Sequence, residues 1–363
     1  YTAYFFKKMK NLFNYTLTEL EEIITNKYNC KKFVAKQIWG WIYCRGAKGF
    51  NEMNNISKDL KSRIEIDFNI ERPKIVKTLL SEDETKKWLL ELNDGEKIEL
   101  VYIPSDDRGT LCISSQVGCS MGCKFCNTGS QGFTRNLEVS EIVGQIMIAR
   151  DELNEWENVN KKIGEGRKIT NIVIMGMGEP LLNYDNIIKA MKIINDENGI
   201  AFSNRRITLS TCGLVPKIFD LANDLKLNLA ISLHATTDEI RKKIMPIAEK
   251  YSIEEIMKAC GYYAKNTNYR RITFEYIMIK DLNDSIDDAK RLIKLVKKYN
   301  IPAKFNLIPF NPWNGCIFKK PSEENTILKF AKYITDARYP CPIRFSRGQD
   351  IMAACGQLKS KNN

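Results

Sequence analysis

The sequence predicts an α/β fold: a partial (β/α)6 barrel preceded by a small helical N-terminal domain and a β-hairpin bridge. Three observations carry this. From Thr110 onward, short β-rich runs alternate six times with stretches of helical periodicity, which implies a parallel sheet with right-handed crossovers. Over residues 15 to 70, apolar side chains instead recur at helical spacing with lysines between them. The unusual residues of the chain fall just after the strand ends, at the C-terminal mouth where β/α barrels place their active sites.

At 363 residues the chain has room for one barrel-sized domain and a smaller one, and its 44% hydrophobic content supports a real core. A formal net charge of +12 fits a polyanionic partner, nucleic acid first. Eleven cysteines lack the even, regular spacing of a secreted disulfide framework, so a reducing cytoplasm is expected. Tyr1 to Lys10 carries three lysines and only a short aromatic run, unlike a signal peptide, and Met9 is a plausible start. No run approaches the ~18 apolar residues of a membrane span. A monomer that does not engage membranes is expected.

In chain order, Leu17–Ile23 and Phe33–Ile42 read as helices of an accessory domain over 1–74, with Trp39, Trp41 and Tyr43 in its core. The lysines on these helices suggest a grip on nucleic acid. A hairpin follows in the bridge, 75–104: Lys87–Leu92, a turn at Asn93-Asp94-Gly95, then Lys97–Ile103. The barrel occupies 105–340. Its strands are expected at Leu111–Gln116, Asn171–Met175, Arg206–Ser210, Asn228–Leu233, Ile272–Ile279 and Ala303–Phe310. Helices are expected at Val139–Glu155, Tyr184–Asn195, Val215–Ala222, Ile253–Lys265, Ser285–Tyr299 and Glu323–Asp336. Residues 341–363 form a separate C-terminal segment.

The loop after the first strand holds Cys119, Cys123 and Cys126 in a C-x3-C-x2-C spacing between glycines. Three thiolates this close can converge on one centre, and thiolates suit iron–sulfur clusters or zinc. Three ligands leave one position open. A zinc knuckle completed by a distant cysteine or by His234, or three unrelated buried cysteines, are the alternatives. After the second strand, Gly176-Met177-Gly178-Glu179-Pro180 lets backbone come close to a ligand, with Glu179 able to accept from an amino group. Ser210, Ser232 and Asn311 are short polar groups at strand ends, suited to a nucleoside ligand. His234, the only histidine, sits beside Ser232 and Leu233 as a ligand contact rather than a general base. Cys112 lies on the polar face of the first strand with Ser114 and Gln116, and Cys355 lies among small residues that leave its sulfur approachable.

Taken together, Leu-Cys-Ile-Ser-Ser-Gln-x-Gly-Cys-x3-Cys-x2-Cys from Leu111, Gly176–Pro180, Ser232-Leu233-His234-Ala235 and Asp350-Ile351-x-Ala-Ala-Cys355-Gly-Gln-Leu358 resemble the RlmN/Cfr family of radical S-adenosylmethionine (radical SAM) RNA methyltransferases, over nearly the whole chain. The resemblance implies that Cys119, Cys123 and Cys126 bind a 4Fe-4S cluster whose fourth iron is chelated by SAM. It implies that Gly178, Glu179, Ser210, Ser232, Leu233, His234 and Asn311 contact that SAM. Cys355 would be methylated by one SAM, and a second, cleaved to a 5′-deoxyadenosyl radical, would take a hydrogen from the S-methyl group. The methylene would then add to an adenine carbon. Cys112 would assist release by deprotonation and by a disulfide with Cys355, and Glu99 matches an acidic proton acceptor. Within the family, Gln131–Leu137, Gly178–Asn183 and Ile308–Pro312 are more similar to the enzymes that modify carbon 2 than to those that modify carbon 8. The implied substrates are 23S rRNA near the peptidyl-transferase centre and the adenosine 3′ of the tRNA anticodon, with flavodoxin or ferredoxin as electron donor. Gly348-Gln349-Asp350 departs from the expected Gly-Asp-Asp. The competing readings are carbon 8 methylation and a non-catalytic, zinc-stabilised RNA-binding protein.

Overall fold

The computed structural model describes residues 9–156, 166–268 and 270–360. Most of the N-terminal stretch read as unlike a signal peptide, residues 1–8, lies outside the described residues. The chain divides into two compact units. One comprises Tyr1–Lys74, Glu138–Ile169 and Asp185–Ser203; the other comprises Ile75–Leu137, Thr170–Tyr184 and Asn204–Asn363.

In the first unit, helices span Leu17–Asn26, Phe33–Arg45 and Lys58–Asp67. The first opens on a capping box: Thr16 Oγ1 accepts the Glu19 N–H, and Glu19 Oε2 accepts the Thr16 N–H. Leu20, Ile24, Ile38, Trp39, Ile42 and Tyr43 form its core. Trp39 and Tyr43 meet edge to face at 4.4 Å, as the core reading expects. Trp41 is only half-buried, and the Arg45 guanidinium lies 4.3 Å over its ring. The helix Val139–Glu152 belongs to the same unit and is buried on every side over Ile142–Arg150. Its Arg150 is fully buried and donates to the carbonyls of Tyr43 and Ile200, both at 3.2 Å.

The second unit is built on a nine-stranded sheet. Six of its strands are mutually parallel and ordered as in the sequence: β1 Arg108–Cys112, β2 Asn171–Ile174, β3 Ile207–Thr211, β4 Asn228–Ser232, β5 Ile272–Met278 and β6 Ala303–Pro309. That is the topology of a partial (β/α)6 barrel, with helices Val215–Asp224, Ile253–Asn266 and Ile286–Lys298 between the later strands. The hairpin Lys86–Glu91 and Lys97–Ser105 continues the same sheet, its second strand antiparallel to β1.

Register decides the chemistry of the two sheet faces, because side chains alternate along each strand. One face carries Leu111, Ile172, Leu209, Leu229, Ile231, Phe274 and Phe305, all buried. The other carries Cys112, Val173, Thr208, Ser210, Ser232, Glu275, Lys304 and Asn306. The apolar face makes the core. The polar face, mostly half-buried, is where chemistry is available.

Candidate active site

Past β1, the short strands Gln116–Gly118 and Phe133–Asn136 pair antiparallel, and the cysteine loop is the excursion between them. Gly118 has φ +73, and a side chain there would collide with the Gly132 carbonyl. The C-terminal segment threads along the loop. The Asn127 N–H donates to Gly356 O (2.7 Å), Asn127 Nδ2 to Gln357 O (3.1 Å) and Thr128 Oγ1 to Leu358 O (2.6 Å).

Burial pushes the Cys119 thiol up to about 12 and raises those of Cys123 and Cys126; Cys126 adds to the shift of the other two, while hydrogen bonds from Gly129 and Thr128 oppose its own. A bound cationic centre would reverse these shifts, and three thiols on one short loop are the donor chemistry that an iron–sulfur cluster takes. Among the described residues no three His, Cys, Asp or Glu side chains converge on a single-ion site. A cluster distributes its ligands over separate irons and does not require that convergence.

At the end of β2, Gly178 (φ +103) is pressed against protein: a Cβ would lie 2.6 Å from Gln116 Cβ and 2.8 Å from its backbone nitrogen. The close approach expected for a ligand is therefore made first to the Ser114–Gln116 segment. Glu179 is buried. Its Oε1 accepts the Leu181 N–H (3.0 Å) and its Oε2 the Cys212 N–H (2.8 Å), and the side chains of Cys212 and Thr211 also donate to the carboxylate. Burial raises its pKa, against those donors, and its charge reaches Cys119 and Cys123.

His234, at φ 58, follows β4. Burial, with Arg241 nearby, lowers its pKa to about 3; Nδ1 accepts the Ile277 N–H at 3.1 Å. It is therefore neutral, and its ring meets Phe125 of the cysteine loop edge-on at 4.8 Å. Arg241 is fully buried and binds four carbonyls, Cys212 (2.6 Å), Leu233 (3.2 Å), Ser232 (3.4 Å) and Tyr251 (3.5 Å), tying the ends of β3 and β4 together. Ser210 and Ser232 are half-buried on the polar face, whereas Leu233 is buried.

Cys355 is exposed, yet protein crowds round it closely enough that desolvation pushes its thiol up to about 12; Glu275 adds to this and Arg344 opposes it. Cys112 is also pushed up to about 12, by burial and then by Cys355, so the fold has brought the two thiols into one electrostatic neighbourhood. Both are free thiols, and the disulfide that the resemblance implied between them is not present. Asn311, expected at the cofactor, is hydrogen-bonded to the Cys355 loop: Nδ2 donates to Cys355 O (3.2 Å), while Oδ1 accepts from Ser346 Oγ (2.6 Å) and Gln349 Nε2 (2.9 Å). Glu99 is buried, paired with Lys87 Nζ at 2.8 Å, and accepts the Lys359 N–H at 2.8 Å.

Residues 113–296 match the Radical SAM superfamily, and residues 10–70 match the Ribosomal RNA large subunit methyltransferase N-terminal domain. A Dual-specificity RNA methyltransferase RlmN of Rhodopseudomonas palustris (strain BisB5) is 50% identical over 338 residues, 91% of this chain and 84% of the relative. Its counterpart in Zymomonas mobilis is 51% identical over 91% of this chain and 83% of its own. The chain belongs to the RlmN family of RNA methyltransferases. A crystal structure of a radical SAM methyltransferase from Sphaerobacter thermophilus superposes with a TM-score of 0.89, at 38% identity, over 97% of this chain and 100% of that one.

As an RlmN-family member it is a radical SAM enzyme that uses a 4Fe-4S cluster and SAM and acts on RNA. The zinc-stabilised, non-catalytic reading falls with that membership. Within the RlmN frame, sequence reasoning missed Lys87, Arg241 and Glu275. Glu275 had a legible signal, a lone charge in the strand Ile272–Met278, whereas Lys87 stands between Lys86 and Trp88 in a strand that also ends on Glu91 and looks like one more edge charge. Arg241 lies in the run Asp238–Lys243, where it resembled one more solvated charge.

Among the described residues no helix is long and apolar enough to cross a membrane.

Proposed function

We propose that the chain methylates carbon 2 of an adenosine in 23S rRNA near the peptidyl-transferase centre and of the adenosine 3′ of the anticodon in tRNAs, with Cys355 as methyl carrier. The observation that carries this is that the exposed Cys355 is held against the cysteine loop, where Gly356 O accepts the Asn127 N–H at 2.7 Å, within electrostatic reach of Cys112 on β1. Cys119, Cys123 and Cys126 would hold the cluster. Glu179, beside Gly178, would receive the amino group of SAM, with Ser210, Ser232, Leu233 and His234 along the strand ends. With SAM bound, the cluster supplies the one-electron chemistry that an electrophilic adenine carbon requires.

The chain's own part begins at Cys355 Sγ, which must lose its proton to take a methyl group, since the thiolate is the nucleophile. Asn311 holds the Cys355 carbonyl and so orients the carrier. Cys112, on the polar face of β1, would take a proton as the product leaves, and Glu99 is a second acceptor for the same task. An electron donor of the flavodoxin or ferredoxin type, a monomeric state and a cytoplasmic location complete the reading.

The test is mass spectrometry of anaerobically purified protein and of its RNA product. A methyl group on the Cys355 peptide, iron in the same sample and 2-methyladenosine in the digest are expected. 8-Methyladenosine would replace the carbon 2 assignment, and iron without S-methylation would remove Cys355 as carrier. Cys112→Ala should accumulate protein–RNA adduct detectable on a denaturing gel.

A further inference from the structure

One buried ion pair touches both ends of the loop that presents Cys355. Register sets Lys87 opposite Val101, Leu89 opposite Glu99 and Val101 opposite Cys112, so Lys87 and Glu99 form a diagonal pair on the polar face that bears Cys112. Their charged atoms are 2.8 Å apart, and both side chains are almost fully buried. Lys87 Nζ also donates to the carbonyl of Met352 at 3.1 Å, before Cys355. Glu99 Oε2 accepts the N–H of Lys359 at 2.8 Å, after it. Met352 itself is at φ 53. A half-open pocket of about 240 Å³, lined by Lys77, Leu79, Lys87, Leu89, Glu99 and Met352 among others, lies beside the pair.

We propose that Lys87 is a positioning residue of the methyl-transfer reaction: with Glu99 it clamps the 352–359 loop at both ends and fixes where Cys355 stands. The inference rests on the reading of Cys355 as methyl carrier. The physical argument is that a buried ion pair is worth its desolvation only when its remaining donors and acceptors are also used, and here they are used on the loop. Lys87 contributes charge to hold Glu99 and a hydrogen bond to hold Met352. An apolar residue in its place would take the Lys87 ammonium from the buried Glu99 carboxylate, loosening its hold on Lys359 as well.

The experiment compares wild type, Lys87→Met, Lys87→Arg and the double variant Lys87→Met/Glu99→Gln, all as cluster-loaded full chains. The double variant carries no unpaired buried charge, which protects the test against simple misfolding. Hydrogen exchange of the 353–359 amides should quicken about tenfold or more in Lys87→Met and in the double variant. In Lys87→Met, which keeps Glu99, the kcat for RNA methylation should fall about tenfold or more while KM for RNA stays within about twofold, as for a displaced reacting group rather than a lost binding contact; the double variant is read by exchange alone. Lys87→Arg should restore much of both. Unchanged exchange over 353–359 in the double variant, or a loss of RNA affinity instead of kcat, would overturn the clamp. Failure of the carrier reading is separately visible: wild-type Cys355 would then show no S-methylation, whatever the exchange data say.

Discussion

At Gly178 the conformation and the neighbours act together. With φ +103 and Gln116 Cβ 2.6 Å from where a Cβ would sit, no L side chain fits without displacing the Ser114–Gln116 segment. Gly178→Ala should therefore destabilise the fold by about 2–3 kcal/mol, from backbone strain and overpacking, measurable as a lower urea midpoint. At Cys355 the question is charge. A carboxylate near a thiol disfavours the thiolate, and Glu275 is the largest such influence after burial itself. Glu275→Gln should lower the Cys355 pKa, enlarge the thiolate fraction at pH 8 and speed alkylation by iodoacetamide several-fold. Slower alkylation would show that Glu275 instead helps remove the proton. Glu275 Oε1 also accepts Asn306 Nδ2 at 2.7 Å, so the glutamine, which keeps a carbonyl acceptor, is the cleaner substitution.

Single helices and strands show how local rules place the site. The helix Ile253–Asn266 begins with a capping box, Ser252 Oγ accepting the Glu255 N–H (3.3 Å) and Glu255 Oε2 the Ser252 N–H (2.8 Å). It buries Ile256, Met257, Cys260 and Tyr263, and Tyr263 Oη reaches the Leu227 carbonyl (2.9 Å) at the start of β4. Ser252→Ala should cost about 1 kcal/mol in urea unfolding, since one helix-end donor loses its acceptor. A larger loss would mean that the cap also sets the position of β4. Among the strands, the expected boundaries agree with the observed ones to within a few residues, because each is a short β-rich run whose partners lie at fixed period. The first strand is the exception. It ends at Cys112, after which Gln116–Gly118 turns away to pair with Phe133–Asn136 and frame the cysteine loop.

For the molecule as a whole, the charge of +12 implies RNA binding that weakens with salt. Lys31, Lys32 and Lys36 are exposed at the start of the helix Phe33–Arg45. If they contact phosphates, reversing all three to Glu should lower RNA affinity and reduce the slope of log K against log salt by about 2 to 3. An unchanged slope would remove this helix from the RNA surface. Charge reversal is the sounder test than deleting residues 1–74, because the helix Val139–Glu152 packs within the same compact unit and deletion would expose its buried sides.

What the sequence by itself determined is whatever depends on neighbours along the chain. The six-fold alternation, the C-x3-C-x2-C spacing, the Asn93-Asp94-Gly95 turn and the polar face of Cys112 all follow from local period and turn chemistry. The family motifs were legible for the same reason, being short and contiguous. Tertiary structure alone decided what depends on closure across the chain. It brought Cys355 within electrostatic reach of Cys112, gave Asn311 a hydrogen bond to the Cys355 carbonyl, made His234 a buried neutral acceptor and paired Lys87 with Glu99 beneath that loop. Burial and through-space charge are properties of the packed chain, and no spacing in the sequence encodes which distant groups will share the same low-dielectric volume.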